Sequence, residues 1–199
     1  MVTKFAVADW RSIMRICGSI SATCRPEQIT CRYILLRFDV FECVAYGSNG
    51  TQITRISVPC TVSEVPAGYQ LMVLPMKVPA RTKFVELDID EVSKNYTVSY
   101  IDEDNDIIDA QLCNFFDGEP MDYEYYCNKT QDTISQYGYG EGKYVTFINP
   151  KILINALDGF KSCDYVILNF ADRFDPFTIR SYDDDRINTL AIVNPARFI

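Results

Sequence analysis

The sequence predicts an α+β protein built from repeated strand–helix–strand–strand–strand (βαβββ) units, with the helices on one side of antiparallel sheets. Three observations point there. A helical apolar stripe followed by three strand-like runs occurs near the N-terminus and again at the C-terminus, and a weaker copy lies between them. The turns between the runs are short and polar. Basic residues collect in the helix positions, while strands and turns are acidic.

The first unit opens with "TKFAVA", which alternates like a short strand. Asp9 is placed to cap a helix over 10–22, where Trp10, Ile13, Met14, Cys17 and Ile20 follow helical spacing. "TCRYILLRFD", "FECVAYG" and "TQITRISVPC" follow as three strands, with "GSNG" as the turn before the last. In the second unit "GYQLMVLP" is a strand and "FVELDID", "YTVSYID" and "IIDAQLCNF" form a meander. Its helix position, "MKVPARTK", is short and contains Pro79, so a loop or a single turn is expected. In the third, "KYVTFI" is a strand, Asn149 an N-cap and Pro150 the first helical residue, where its missing N–H costs nothing. Leu153, Ala156, Leu157 and Phe160 supply the apolar stripe, and "CDYVILNFA", "DPFTIRSY" and "RINTLAIV" the three strands. The chain thus divides into a domain over 1–114 with two units, the second degenerate, a Tyr-rich connector over 115–142, and a C-terminal unit over 143–199.

Composition narrows the function. With 48% hydrophobic and 23% charged residues, the 199-residue chain reads as globular, and no run approaches a membrane span. The N-terminus lacks a secretory pattern, so a cytoplasmic location is expected. Eight cysteines without a C-x-x-C pair, and no histidine, fit reduced core thiols better than a zinc site or a disulfide framework. The missing histidine excludes Ser-His-Asp and Cys-His catalysis within one chain. "YIDEDNDIIDA" and "SYDDDRIN" fall where hairpin turns are expected and read as solvated loops rather than metal or carboxylate sites. No phosphate-binding glycine motif occurs, and "YGYGEGKY" reads as a flexible linker. No catalytic residue, metal ligand or cofactor is expected.

Charge gives the functional clue. The net charge is -8, yet the windows 10–26, 65–85 and 143–163 hold nine of the 19 basic residues and one of the 27 acids, Asp158. The bases are Arg11, Arg15, Arg25, Lys77, Arg81, Lys83, Lys143, Lys151 and Lys161. A positive side on an acidic body suits sequence-independent, salt-sensitive contact with phosphates. Exposed helices commonly carry charge without any ligand, and that plainer reading stands beside it.

Phe147, Asn149, Pro150, Lys151, Leu153, Ala156 and Leu157, then Pro176 and Ile179, then Val193, Pro195 and Arg197 form a pattern that resembles the last unit of the bacterial DNA polymerase III β subunit, the sliding clamp. "FFDGEPMDYEYY" is similar to that family's interdomain segment, and "CRYILLRFDVFECVAYGSNG" more weakly to a stretch of its repeat. The resemblance implies a ring of βαβββ units with helices lining the hole, sliding on double-stranded DNA. It also implies a cleft that tethers polymerase or other replication proteins through short linear motifs. Arg11, Arg15, Arg25, Lys77, Arg81, Lys83, Lys151 and Lys161 are the expected DNA contacts. Arg32, Leu35, Val193, Pro195 and Arg197 are the expected peptide contacts. Three units are half the family's number, so a twelve-unit ring would take four chains, and a homo-oligomer is expected. Asn194 replaces the family's closing methionine. The alternative is an interaction module with this fold that does not encircle DNA.

Overall fold

The computed structural model describes residues 1–129, 148–161, 163, 165–170, 176–181 and 189–193. In chain order the strands are β1 (Val2–Ala6), β2 (Ile34–Phe38), β3 (Glu42–Ser48), β4 (Gln52–Pro59), β5 (Val62–Ser63), β6 (Gln70–Val73), β7 (Phe84–Asp90), β8 (Asn95–Ile101), β9 (Ile107–Asn114), β10 (Val166–Asn169), β11 (Phe177–Ser181) and β12 (Thr189–Val193). They make two antiparallel sheets, one ordered β5-β1-β7-β8-β9 and the other β10-β11-β12-β4-β3-β2-β6. The first two units exchange their opening strands: β1 pairs with β7 of the second unit, and β6 pairs with β2 of the first. The C-terminal strands join the same sheet through β12, whose Ala191 lies opposite Thr54 of β4.

The first helix starts earlier than its apolar stripe. α1 (Val7–Ile13) follows β1 directly, continues through a π-helical turn (Met14–Gly18) and closes in α2 (Ser19–Ser21). Asp9 is not its cap. Ala6 occupies that position, and the Val7 N–H donates instead to the Lys83 carbonyl at 2.9 Å, so a long-range backbone bond satisfies the donor. Trp10, Ile13, Ile16 and Cys17 enter a core shared by both sheets, with Phe5, Leu36, Ile56, Val85 and Tyr100 among its members. Trp10 is fully buried, with its ring centroid 5.3 Å from that of Phe5. Truncating such a ring costs about 3–5 kcal/mol. The helix approaches β3 so closely that a Cβ on Gly47 would sit 2.4 Å from the Cys17 carbonyl oxygen.

The second unit carries no helix. Residues 74–83 cross between the sheets as an extended loop with a turn at Ala80 and Arg81, since Pro75 and Pro79 interrupt any helical ladder. The loop caps the bare sheet: the Leu74 N–H donates to the Tyr96 hydroxyl, and the Tyr100 hydroxyl donates to the Met76 sulfur. In the connector, residues 123–129 form helix α3, capped by Asp122, whose Oδ1 accepts from the Tyr125 N–H at 2.9 Å. Helix α4 (Pro150–Asp158) begins as its sequence predicts, with Asn149 Oδ1 accepting from the Lys151 N–H at 3.0 Å. The expected strand before it, the "YGYGEGKY" segment and the turn of "SYDDDRIN" lie outside the described residues. Among the described residues no helix is long and apolar enough to cross a membrane.

Candidate nucleic-acid face and partner groove

Strand alternation decides which groups share a side. Gln52, Thr54, Ile56 and Val58 project from one face of β4. The Thr54 hydroxyl donates to the Ile16 carbonyl at 3.4 Å, and the Gln52 amide donates to the Ile152 carbonyl at 2.5 Å. The first helix and α4 therefore lie on the same face of one sheet. They are neighbours there, since a Cβ on Gly159 would meet the Ile16 side chain at 3.5 Å. The helixless loop completes the row on the other flank. The Met76 N–H reaches the Met14 sulfur at 3.3 Å, and an Arg11 guanidinium nitrogen lies 3.5 Å from the Pro79 carbonyl.

This side carries the expected bases. Arg11 and Arg15 are exposed on the first helix, Lys77 and Arg81 on the loop, and Lys151 at the start of α4. Arg81 holds a left-handed backbone with φ 69°, an unfavourable conformation for a side chain with a Cβ. Two other bases are already paired: Lys83 with Glu103 at 3.8 Å and Lys161 with Asp158 at 2.6 Å. Arg25 sits apart, in the exposed turn after α2. The opposite polarity appears on β7, where Glu86, Asp88 and Asp90 alternate with the core residues Val85, Leu87 and Ile89 and so face away from the helices.

The second feature lies on the other face of the larger sheet. Leu35, Val44, Tyr46, Met72, Leu190 and Ile192 form a separate apolar cluster, covered by Tyr123 and Cys127 of the connector. The Tyr46 and Tyr123 rings stack with centroids 5.8 Å apart. Beside them opens a groove of about 340 Å³ between β2 and the connector, lined by Leu35, Arg37, Tyr46 and Met121 among others. Arg37 pairs with Glu124 across its mouth, and that hydrogen bond raises the arginine's already high pKa further. Burial pushes the Tyr46 hydroxyl up, partly offset by its hydrogen bond to Arg55.

No model of a protein family and no curated protein matches the sequence. Solved structures do match. The DNA polymerase III β subunit from Thermotoga maritima aligns with TM-score 0.72 at 13% identity, covering 100% of this chain and 66% of that one. The DNA polymerase sliding clamp from Bacillus subtilis aligns with TM-score 0.68 at 10% identity, covering 100% and 65%. The DNA polymerase III subunit β from Pseudomonas aeruginosa gives 0.67 at 11%, covering 100% and 67%.

This chain has the sliding-clamp fold. It spans about two thirds of the length of the clamps it matches.

Within the clamp fold, the residues expected to bind a partner peptide fall in different places. Leu35 is in the groove, 4% exposed. Val193 is not beside it: on β12, Leu190 and Ile192 face the Leu35 cluster, whereas Ala191 and Val193 face α4 and pack near Phe160. The two-residue period of the strand forces that separation. Arg32 is exposed in a 3-10 turn, donating to the Pro26 carbonyl at 3.2 Å, and does not line the groove. Pro195 and Arg197 lie outside the described residues. Sequence reasoning missed Arg37, Tyr46, Met121, Tyr123 and Glu124. The signal for Met121, Tyr123 and Glu124 was the "PMDYEYY" stretch, which supplies the groove's wall rather than a mere tether.

Proposed function

We propose that this protein is a clamp-like processivity factor, with no catalytic role, that associates with duplex DNA without sequence specificity and tethers polymerase or other replication proteins. The observation that carries the reading is the row of loop, first helix and α4 on one side of the molecule, bearing Arg11, Arg15, Lys77, Arg81 and Lys151. Lys83, Lys161 and Arg25 are secondary contacts, two of them shared with acids and the third off the row. The groove beside β2, whose polar lining includes Arg37, Gln70, Asp122 and Glu124, suits a short linear motif of a partner that brings polar or charged groups.

Encirclement requires more than one chain. Among the described residues, β9 ends one sheet and β10 the other, with no further strand paired to either. β9 exposes Ile107 and Leu112 by 64% and 69%, an edge that invites pairing with another copy. The proposed working form is a homo-oligomer in the cytoplasm. Light scattering after size exclusion gives the assembly number, and retention on DNA tests the ring. A ring stays on a closed circle and runs off a linear duplex, whereas equal loss from both sinks the proposal.

A second reading is favoured by one observation. The second unit has no helix, so this side is only partly built as a helical lining. In that reading the fold and the groove serve protein interaction alone. Peptide binding without any salt-dependent DNA retention identifies it.

A further inference from the structure

Strand register orders the floor of the groove in rows. Tyr46, Leu35 and Met72 lie side by side on β3, β2 and β6, and Val44, Arg37 and Gln70 lie side by side on the same three strands. Alternate residues of a strand share a face, so an apolar row runs beside a row centred on a guanidinium. The connector already matches both rows. Tyr123 stacks on Tyr46, and the next residue, Glu124, pairs with Arg37.

We propose that α3 is a displaceable strap over the groove, and that a partner segment with an aromatic residue directly before a carboxylate takes its place on Tyr46 and Arg37; this rests on the groove being a partner site.

The strap is held by little. On α3 only Tyr123 and Cys127 are buried, four residues apart on one side of the helix. The Tyr123 hydroxyl is buried with no hydrogen-bond partner among the described residues, a cost that disappears once water reaches it. The Arg37–Glu124 pair is partly exposed at both ends, and pairs of that kind contribute little. The anchors lie upstream. The Phe115 N–H donates to the Lys94 carbonyl at 2.9 Å, and the Phe116 ring centroid is 4.6 Å from that of Tyr33. Exposed residues Asp117, Gly118, Glu119 and Pro120 separate those anchors from α3, so the helix can swing out while Phe115 and Phe116 stay in place.

Lifting the strap uncovers Leu35, Val44, Tyr46 and Met72, an apolar floor that must be covered again. The tethered strap competes at high local concentration, so a free segment making the same contacts meets a mostly closed groove. A partner prevails by supplying what the strap lacks. A phenyl ring in the place of Tyr123 keeps the stack without burying an unpaired hydroxyl, which favours phenylalanine over tyrosine before the acid.

Cys127, 3% exposed beneath the strap, reports its opening. The intact folded chain is pulsed with iodoacetamide and each thiol is mapped by mass spectrometry, with Cys17 and Cys43 of the shared core reporting global unfolding. Cys127 should be labelled while those two stay protected, about tenfold faster or more in Tyr123→Ala, faster in Glu124→Arg and slower in Tyr123→Phe. A fluorescent peptide of residues 119–126, which contains no cysteine, is then titrated by anisotropy. It should bind Tyr123→Ala about tenfold more tightly than wild type, because a closed fraction weakens apparent affinity. At saturation it should speed Cys127 labelling in wild type. Tyr123→Phe in the peptide should tighten binding, and Arg37→Glu in the protein should weaken it severalfold. Wild type and Glu124→Arg, a surface change, decide if Tyr123→Ala does not fold. Cys127 labelled no faster than Cys17, or peptide bound to wild type with Cys127 still protected, overturns the strap and leaves the groove's partner role standing. A peptide that binds neither wild type nor an opened variant removes both.

Discussion

Arg81→Gly separates a backbone requirement from a side-chain role. Arg81 sits at φ 69°, in the turn between Pro79 and Lys83. Holding a residue with a Cβ in that region costs about 1–2 kcal/mol, which glycine does not pay. Glycine returns roughly 0.5–1 kcal/mol of that through the greater freedom of its unfolded chain. The variant should therefore unfold in urea at the same midpoint or slightly above it, stabilised by at most about 1.5 kcal/mol. Arg81→Ala keeps the strain and should gain nothing. Both variants remove the same guanidinium, so both should weaken DNA association, and the slope of log affinity against log salt should fall by about 0.9 for one lost phosphate contact. The assay is a salt series on short duplexes beside urea melts of each variant. Destabilisation of Arg81→Gly by more than about 1 kcal/mol would mean that the side chain holds the loop. Unchanged salt slopes in both variants would remove the loop from the DNA face.

Gly47→Ala places a methyl group 2.4 Å from the Cys17 carbonyl oxygen, so helix and strand must part; overpacking of this kind costs about 1–3 kcal/mol, read as a lower unfolding midpoint. Asn149→Ala removes the side-chain cap of α4 and should cost about 1 kcal/mol, read as a lower unfolding midpoint. Tyr123→Ala takes away the ring stacked on Tyr46, so the connector should lift from the sheet and limited proteolysis should cut near it; resistance equal to wild type would contradict that packing. Burial raises the Asp9 carboxyl above its ordinary 3.8, so the folded state binds that proton more tightly than the unfolded chain. The cost is absent below the unfolded value, grows between the two values and is fully present above the folded one. Asp9→Asn should therefore lose this component of the pH dependence and match or exceed wild-type stability at neutral pH.

The order of elements was legible because it depends on local periodicity. The meander of β7, β8 and β9 reads straight from alternation, and Asn149–Pro150 marks a helix start through chemistry confined to a few residues. What the sequence could not show is decided over distance. That Val7 donates to the Lys83 carbonyl, displacing Asp9 as cap, depends on a strand crossing from the other unit. Nor does periodicity reveal that β1 and β6 change places between sheets. For the groove, Leu35 is visible as an apolar strand residue, but which end of the chain meets it depends on parity along β12. A shift of one residue exchanges Ile192 for Val193 on that face. The tyrosines of the connector looked like composition; Tyr123 is in fact a fully buried packing residue.

Net charge and local charge give opposite answers for this molecule, and geometry decides between them. A chain at -8 should repel a polyanion if its charges acted from one point. They do not. Glu86, Asp88 and Asp90 project from the strand face opposite the core that receives the first helix. Sheet packing and a helix diameter each contribute roughly 10 Å of separation. At physiological ionic strength the screening length is about 8 Å, so those acids contribute little to the potential at a phosphate on the helix side. Among the acids near that side, Glu103 and Asp158 each lie against a lysine, and Asp9 sits half-buried on the first helix. Exposed pairs of that kind contribute only about 0–1 kcal/mol, so a phosphate can compete for Lys83 or Lys161 at small cost. The local balance on this side is therefore set by Arg11, Lys77, Arg81 and Lys151, for which no ion pair occurs among the described residues.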